Sequence, residues 1–186
     1  MKEIARKKAS LPEKRMNKIM LCDFSTSMAG KKETALKEAI KDLVPRHPET
    51  ALLRFGGHGS EVAKFMAHEV DAMRTGGMTP MGKALDRAWG MKGIEQIILI
   101  TDGEPNDWTT DQILEEADEF YFIPIHIIGI GNPYALELNE PFLKELARIT
   151  GGSYNRINEG DLYILSNKVE ALLEYNSEKD SSVIQL

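Results

Sequence analysis

With 186 residues, the chain has the length of one globular domain with short extensions, enough to bury a core without disulfide or metal staples. A hydrophobic share of 42% and a charged share of 28% exclude wholesale disorder, and no apolar run approaches the roughly 20 residues of a membrane span. The single cysteine, Cys22, excludes an internal disulfide framework and any multi-cysteine zinc or iron–sulfur site. Charge is uneven: residues 1–18 hold seven basic side chains against two acidic ones, a local +5, which leaves −11 on the remainder of a chain whose net charge is −6. An acidic body argues against a nucleic-acid surface. The basic start lacks the apolar stretch of about 7–15 residues of a secretory signal and reads as a solvated extension over 1–16. The expected setting is cytoplasmic, with neither membrane nor nucleic acid as partner.

The apolar run 18–23 predicts a strand covered on both faces. Ala35, Leu36, Ala39, Ile40, Leu43 and Val44 recur at helical spacing, so 31–44 reads as a helix ended by Pro45 and Pro48. Residues 51–55 and 62–65 read as strands joined through Gly56-Gly-His-Gly59, a hairpin-length turn that makes the pair antiparallel. A helix over 80–89 starts with proline in its first turn. Residues 96–101 form the most apolar strand, 111–120 a helix, and 122–130 another strand with Pro124 near its start. A helix over 141–150 stops at Gly151-Gly152, a short strand covers 153–157, and a last helix covers 161–175 before a polar tail, 176–186. Strand–helix alternation predicts an α/β fold of three layers, a mostly parallel six-stranded sheet with one antiparallel edge strand between helices. Such sheets bind ligands beyond the carboxyl ends of their strands, at the switch in strand order.

The residues at those ends carry oxygen. Asp23, Ser25 and Ser27 stand at i, i+2 and i+4 after the first strand, so an extended segment would aim all three one way. A carboxylate and two hydroxyls suit a hard dication and not zinc or copper. A helix N-cap needs one hydroxyl, and this loop offers three. Asp102 follows the most apolar strand directly, ahead of Gly103, and Thr79 sits after Gly76-Gly77-Met78 just before a helix.

The combination resembles the von Willebrand factor A domain with its metal-ion-dependent adhesion site. Asp23-x-Ser25-x-Ser27, Thr79 and Asp102 match the family's five metal-site positions. The segments 127–131, 142–147 and 150–154 look like its fifth strand, penultimate helix and final strand. The resemblance spans 17–175, with Thr26 where many members have glycine. It implies a Rossmann-like fold and Mg²⁺ held by Asp23, Ser25, Ser27, Thr79 and Asp102, with Mn²⁺ or Ca²⁺ as alternatives. The implied partner is a protein that offers a Glu or Asp carboxylate to the metal. Members of this type serve as adaptors in intracellular assemblies, including those of ATPases and chaperones, and are not enzymes.

Other chemistry near the site is weaker. Glu104 and Asp107 read as solvated loop acids, His58 as an exposed hairpin tip away from the metal, and His126 as a core residue. Met78 and Met81 read either as core fillers or as an adaptable rim. The alternative is a Mg²⁺-dependent phosphatase of the haloacid dehalogenase type, with Asp23 as nucleophile and Thr79 and Lys83 imitating its middle motifs. That family's general acid falls at Ser25, which has no such capacity near neutral pH.

Overall fold

Alternating side chains along three central strands divide the core in two. In β1 (Lys18–Phe24), β4 (Gln96–Thr101) and β5 (Ile125–Ile130), every residue from the second onward is buried, as strands covered on both faces must be. Ile19, Leu21, Ile97, Leu99, Ile125 and Ile127 point into one apolar layer, whereas Met20, Cys22, Ile98, Ile100, Ile128 and Ile130 point into the other. The computed structural model describes residues 16–58, 61–132 and 138–175. Apart from Met16, the basic arm expected over 1–16 lies outside the described residues, as does the tail 176–186.

The remaining strands are β2 (Thr50–Gly56), β3 (Ala63–Phe65) and β6 (Tyr154–Ile157), and the sheet order is β3-β2-β1-β4-β5-β6. All neighbours are parallel except β2 and β3, as expected for a single antiparallel edge strand. Helices α1 (Lys31–Leu43) and α5 (Leu165–Glu174) cover one face through Leu36, Ile40, Val169 and Leu173. Helices α2 (Met81–Trp89), α3 (Thr110–Glu119) and α4 (Glu140–Ile149) cover the other, where Met81, Leu85, Ile113, Leu143 and Leu146 are fully buried. The chain runs outward from β1 through β2 to β3 and then returns to β4 on the opposite side of β1. The switch in strand order therefore lies between β1 and β4, with Asp23 and Asp102 at their carboxyl ends.

Among the boundaries that differ from the sequence reading, four are informative. The first helix ends at Leu43, and Val44–Arg46 tightens into a 3₁₀ turn around Pro45. The strand expected from 122 begins only at Ile125, because Ile123 N–H turns back onto the Phe120 carbonyl and Pro124 has no N–H to give. Phe122 is consequently 65% exposed. The last helix starts at Leu165, after a 3₁₀ stretch over Glu159–Ile164 in which Asp161 leaves helical geometry. The turn expected over 56–59 runs, from Gly59, outside the described residues, and the part described begins beyond the strand pairing. Pairing with β3 stops at Arg54 opposite Ala63, and β2 runs on to Gly56, after which Gly57 N–H donates to the Gly76 carbonyl. No helix among the described residues is long and apolar enough to cross a membrane.

Candidate metal centre

Asp23 lies near the end of β1 with its side chain completely buried. Its Oδ1 accepts the Ser25 N–H at 2.8 Å and its Oδ2 accepts the Thr101 hydroxyl at 2.6 Å, which ties the ends of β1 and β4 together. Burial pushes this carboxyl up to about 6; the Ser25 and Thr101 hydrogen bonds pull the other way, and the charge of Asp102 adds to the rise.

Beyond Asp23 the loop does not continue as the extended segment the i, i+2, i+4 spacing suggested. Ser25 is extended (φ −64°, ψ 169°), but Thr26–Met28 winds into a 3₁₀ turn. That turn brings Ser27 Oγ back to 3.1 Å from Ser25 Oγ, and Ser27 donates to Asp102 Oδ1 at 2.7 Å. Ser25 is buried and Ser27 is exposed, so the cluster faces outward through Ser27. Thr26 is exposed, and its N–H and hydroxyl both reach the Gly77 carbonyl, joining this loop to the one that carries Thr79.

Thr79 is buried just before α2. Its N–H donates to Asn106 Oδ1 at 2.8 Å, and its carbonyl accepts the Asn106 backbone N–H at 3.2 Å, so one residue, by side chain and backbone, clamps the threonine backbone from both sides. Gly103 shows how close the hydroxyls come: a Cβ there would lie 3.7 Å from Ser27 Oγ and 3.9 Å from Thr79 Oγ1. All five expected residues thus meet at the switch point. Among the described residues no three His, Cys, Asp or Glu side chains cluster to hold a metal, so a cation here needs the hydroxyls. Two carboxylates and three hydroxyls form an all-oxygen donor set that fits a hard dication.

One participant is absent from the sequence reading. Lys32, in the first turn of α1, is 7% exposed and places Nζ 2.6 Å from Asp102 Oδ2, 3.1 Å from Glu159 Oε1 and 3.4 Å from the Ser27 carbonyl. Burial pulls this ammonium down, but Asp102 and Glu159 outweigh it and leave it above its ordinary value. A lysine at the start of a helix normally opposes the dipole. That mismatch was the available signal.

Other expectations resolve individually. Asp107 is not a solvated loop acid: its carboxylate accepts the N–H groups of Gly82 and Lys83 at 3.1 and 2.8 Å, which caps α2 from a different loop. Glu104 is exposed, as expected. Met81 belongs to the core, and Met78 stands 55% exposed at the rim. His58 is exposed but packs beside Gly76, next to the threonine loop and not remote from it. His126 is buried, with Nδ1 2.9 Å from Ser153 Oγ. Burial also raises the Cys22 thiol far above its ordinary range, which leaves it inert. The nucleophile that a phosphatase would need, Asp23, is fully enclosed, and Lys83 is exposed.

A family model described as the von Willebrand factor type A domain matches residues 60–156, slightly more than half of the chain. The chain belongs to the von Willebrand factor A family. The matched stretch contains Thr79 and Asp102 and stops short of Asp23, Ser25 and Ser27. Human von Willebrand factor A domain-containing protein 3B is 34% identical over 88 residues, 47% of this chain and 7% of that protein. Mouse inter alpha-trypsin inhibitor heavy chain 4 is 27% identical over 181 residues, 81% of this chain and 19% of that protein. The chain therefore spans less than a fifth of either curated relative's length. Among solved structures, proximal thread matrix protein 1 from the mussel byssus, described with a zinc-occupied metal-ion-dependent adhesion site motif, superimposes with a TM-score of 0.62. Its identity is 18%, over 83% of this chain and 44% of that one. At that identity the likeness shows the shared fold.

Proposed function

We propose that this von Willebrand factor A domain is a metal-dependent protein-interaction module whose cation is held by Asp23, Ser25, Ser27, Thr79 and Asp102. The observation that carries the reading is the meeting of these oxygens at the switch point, with Ser27 Oγ 3.1 Å from Ser25 Oγ and 2.7 Å from Asp102 Oδ1. Mg²⁺ is the proposed ion, with Mn²⁺ or Ca²⁺ as alternatives, and the zinc-occupied site of the mussel protein supports a divalent one. A bound dication would supply an electrophilic position for one carboxylate of a partner protein, since three neutral hydroxyls offset little of its charge. The protein's own groups prepare that position. Thr101 and the Ser25 N–H fix Asp23, Asn106 fixes Thr79, and Lys32 holds one oxygen of Asp102 while the other faces Ser27.

The proposed role is that of an adaptor in a cytoplasmic assembly, with an ATPase or chaperone-type complex as the partner and no enzymatic step of its own. A lone, deeply buried cysteine is in keeping with a reducing compartment. Calorimetric titration with MgCl₂ tests the site: the wild type should bind one equivalent and Asp23→Ala none. Affinity capture from the native host, with Mg²⁺ or with EDTA, tests the role. Equal heats for the two proteins, or capture indifferent to both EDTA and Asp23→Ala, would overturn the reading.

A further inference from the structure

Immediately beside the metal loop lies a cleft of about 400 Å³ between β2, β3 and the segment 69–74. Its floor is apolar, formed by Phe24 and Phe65, whose rings meet edge to face at 6.3 Å. Its walls are cationic, carrying Arg54, Lys64 and Arg74, with His58 at the end nearest the threonine loop. None of the three cations pairs with a carboxylate among the described residues. Arg54 is half-buried and spends one Nη1–H on the Gly56 carbonyl at 3.0 Å, which leaves most of its five-donor fork uncommitted. Arg74 is set in place by Nη1 contacts of 2.7 Å to the Asp71 and Met73 carbonyls. The one acid lining the cleft, Glu69, turns its Oε2 onto the Met66 N–H at 2.6 Å. Even counting Glu69, the lining keeps two positive charges in excess, which is out of character on a chain of net charge −6.

The cleft and the metal centre share a wall. Phe24 lines the cleft, and its chain neighbours Asp23 and Ser25 belong to the metal centre. The segment that supplies Met73 and Arg74 to the cleft continues through Gly76, whose N–H donates to the Phe24 carbonyl at 2.9 Å, and reaches Thr79 five residues after Arg74. At roughly 3.3 Å per extended residue, that wall is at most about 17 Å long.

We propose that the cleft seats further carboxylates of the same partner segment whose first carboxylate meets the metal, so the partner presents an extended acidic peptide and not one isolated acid. The proposal rests on the metal reading above. An extended peptide with acids two to five residues apart reaches both places. Its backbone lies over Phe24 and Phe65, while Arg54 and Arg74 take carboxylates through paired N–H groups. This arrangement gives a site of modest intrinsic strength a means of choosing partners, because a lone surface Glu gains nothing from the cleft.

The test uses the full chain and two fluorescein-labelled peptides, one of eight glutamates and one with a single glutamate among seven glutamines, followed by anisotropy in Mg²⁺ and in EDTA. The eight-glutamate peptide should bind wild type about tenfold tighter than the single-glutamate peptide. The double variant Lys64→Gln/Arg74→Gln, both exposed positions, should bring the two affinities within about twofold while leaving the Mg²⁺-dependent binding of the single-glutamate peptide and the melting temperature intact. Arg54→Gln, checked for an unchanged melting temperature, should do the same. If wild type does not distinguish the peptides, or if its preference survives both variants, the cleft proposal is overturned. If the preference vanishes in the variants but neither peptide responds to EDTA or Asp23→Asn, the cleft stands and the metal reading fails.

Discussion

Replacing Asp23 by asparagine should make the metal-free protein more stable, not less. The carboxylate sits in complete burial, and its pKa of about 6, against an ordinary 3.8, measures how far that environment disfavours charge. A rise of that size corresponds to about 3 kcal/mol at a pH above both values. Asparagine keeps an oxygen for the Ser25 N–H and can meet Thr101 with that hydroxyl reversed, so the hydrogen bonds survive without the charge. The sign follows from the raised value. The favourable contribution of a protonated Asp23 is full below about pH 4 and is lost as pH rises through about 6. Urea unfolding in EDTA at pH 7.5 should therefore find Asp23→Asn more stable than wild type by up to about 3 kcal/mol, and at pH 4 the gap should close. Adding Mg²⁺ should stabilise wild type and leave the variant unmoved, reversing their order at sufficient ion concentration. An Asp23→Asn protein less stable than wild type in EDTA, by a margin independent of pH, would show that burial of the charge is not the governing term.

Lys32→Met removes the ammonium from a side chain 9% exposed and leaves the enclosed Asp102 carboxylate without its cation. Unfolding in EDTA should show a loss of about 3–5 kcal/mol, and Mg²⁺ should recover more stability in this variant than in wild type. Gly56→Ala would place Cβ 2.5 Å from the Ser25 nitrogen at a residue with φ of +77°, so it should cost about 2 kcal/mol or more in unfolding and weaken Mg²⁺ binding by calorimetry. Gly30→Ala, at φ +82° with nothing within 4 Å, should cost about 1–2 kcal/mol and leave Mg²⁺ binding unchanged. His126, whose pKa is lowered by burial, favours the fold while neutral; that stability is present above about pH 6.5 and drains as pH falls. In Mg²⁺, melting temperatures from pH 7.5 to 5.5 should therefore fall more steeply for wild type than for His126→Gln.

The parts of the molecule legible in advance are those decided locally. β1, β4 and β5 are apolar on both faces because helices cover both, and such a run has no other stable home in a soluble domain. The convergence of the five expected residues was legible because each stands near the carboxyl end of a strand or just ahead of a helix, where the fold class places ligands. Contacts made across the chain were not. Lys32 lies 70 residues from Asp102, Asn106 clamps a threonine 27 residues away, and Asp107 caps a helix that begins 26 residues earlier. Apart from the unfavourable place of Lys32 at a helix start, nothing in the local pattern of these residues separates them from ordinary surface side chains. Gly56 looked like a hairpin glycine, and its φ of +77° fits a turn. Its deeper constraint is the Ser25 backbone lying where a side chain would go.

Lys32 also sets the charge balance that a ligand of the proposed metal site would meet. Asp23 and Asp102 alone would bring two negative charges into a space closed to water, and a dication would only neutralise them. With Lys32 on Asp102, the enclosed groups carry one negative charge before a cation arrives and one positive charge after it. A single carboxylate from outside then completes neutrality, and its attraction is strengthened because the aspartates lie out of bulk solvent. Glu159 meets the same ammonium but is 59% exposed, so solvent screens most of its share. In the proposed site, the lysine would thus turn a centre indifferent to its ligand into one with room for one acid. On the same proposal, the arginines and lysine of the neighbouring cleft would extend that demand along a partner segment.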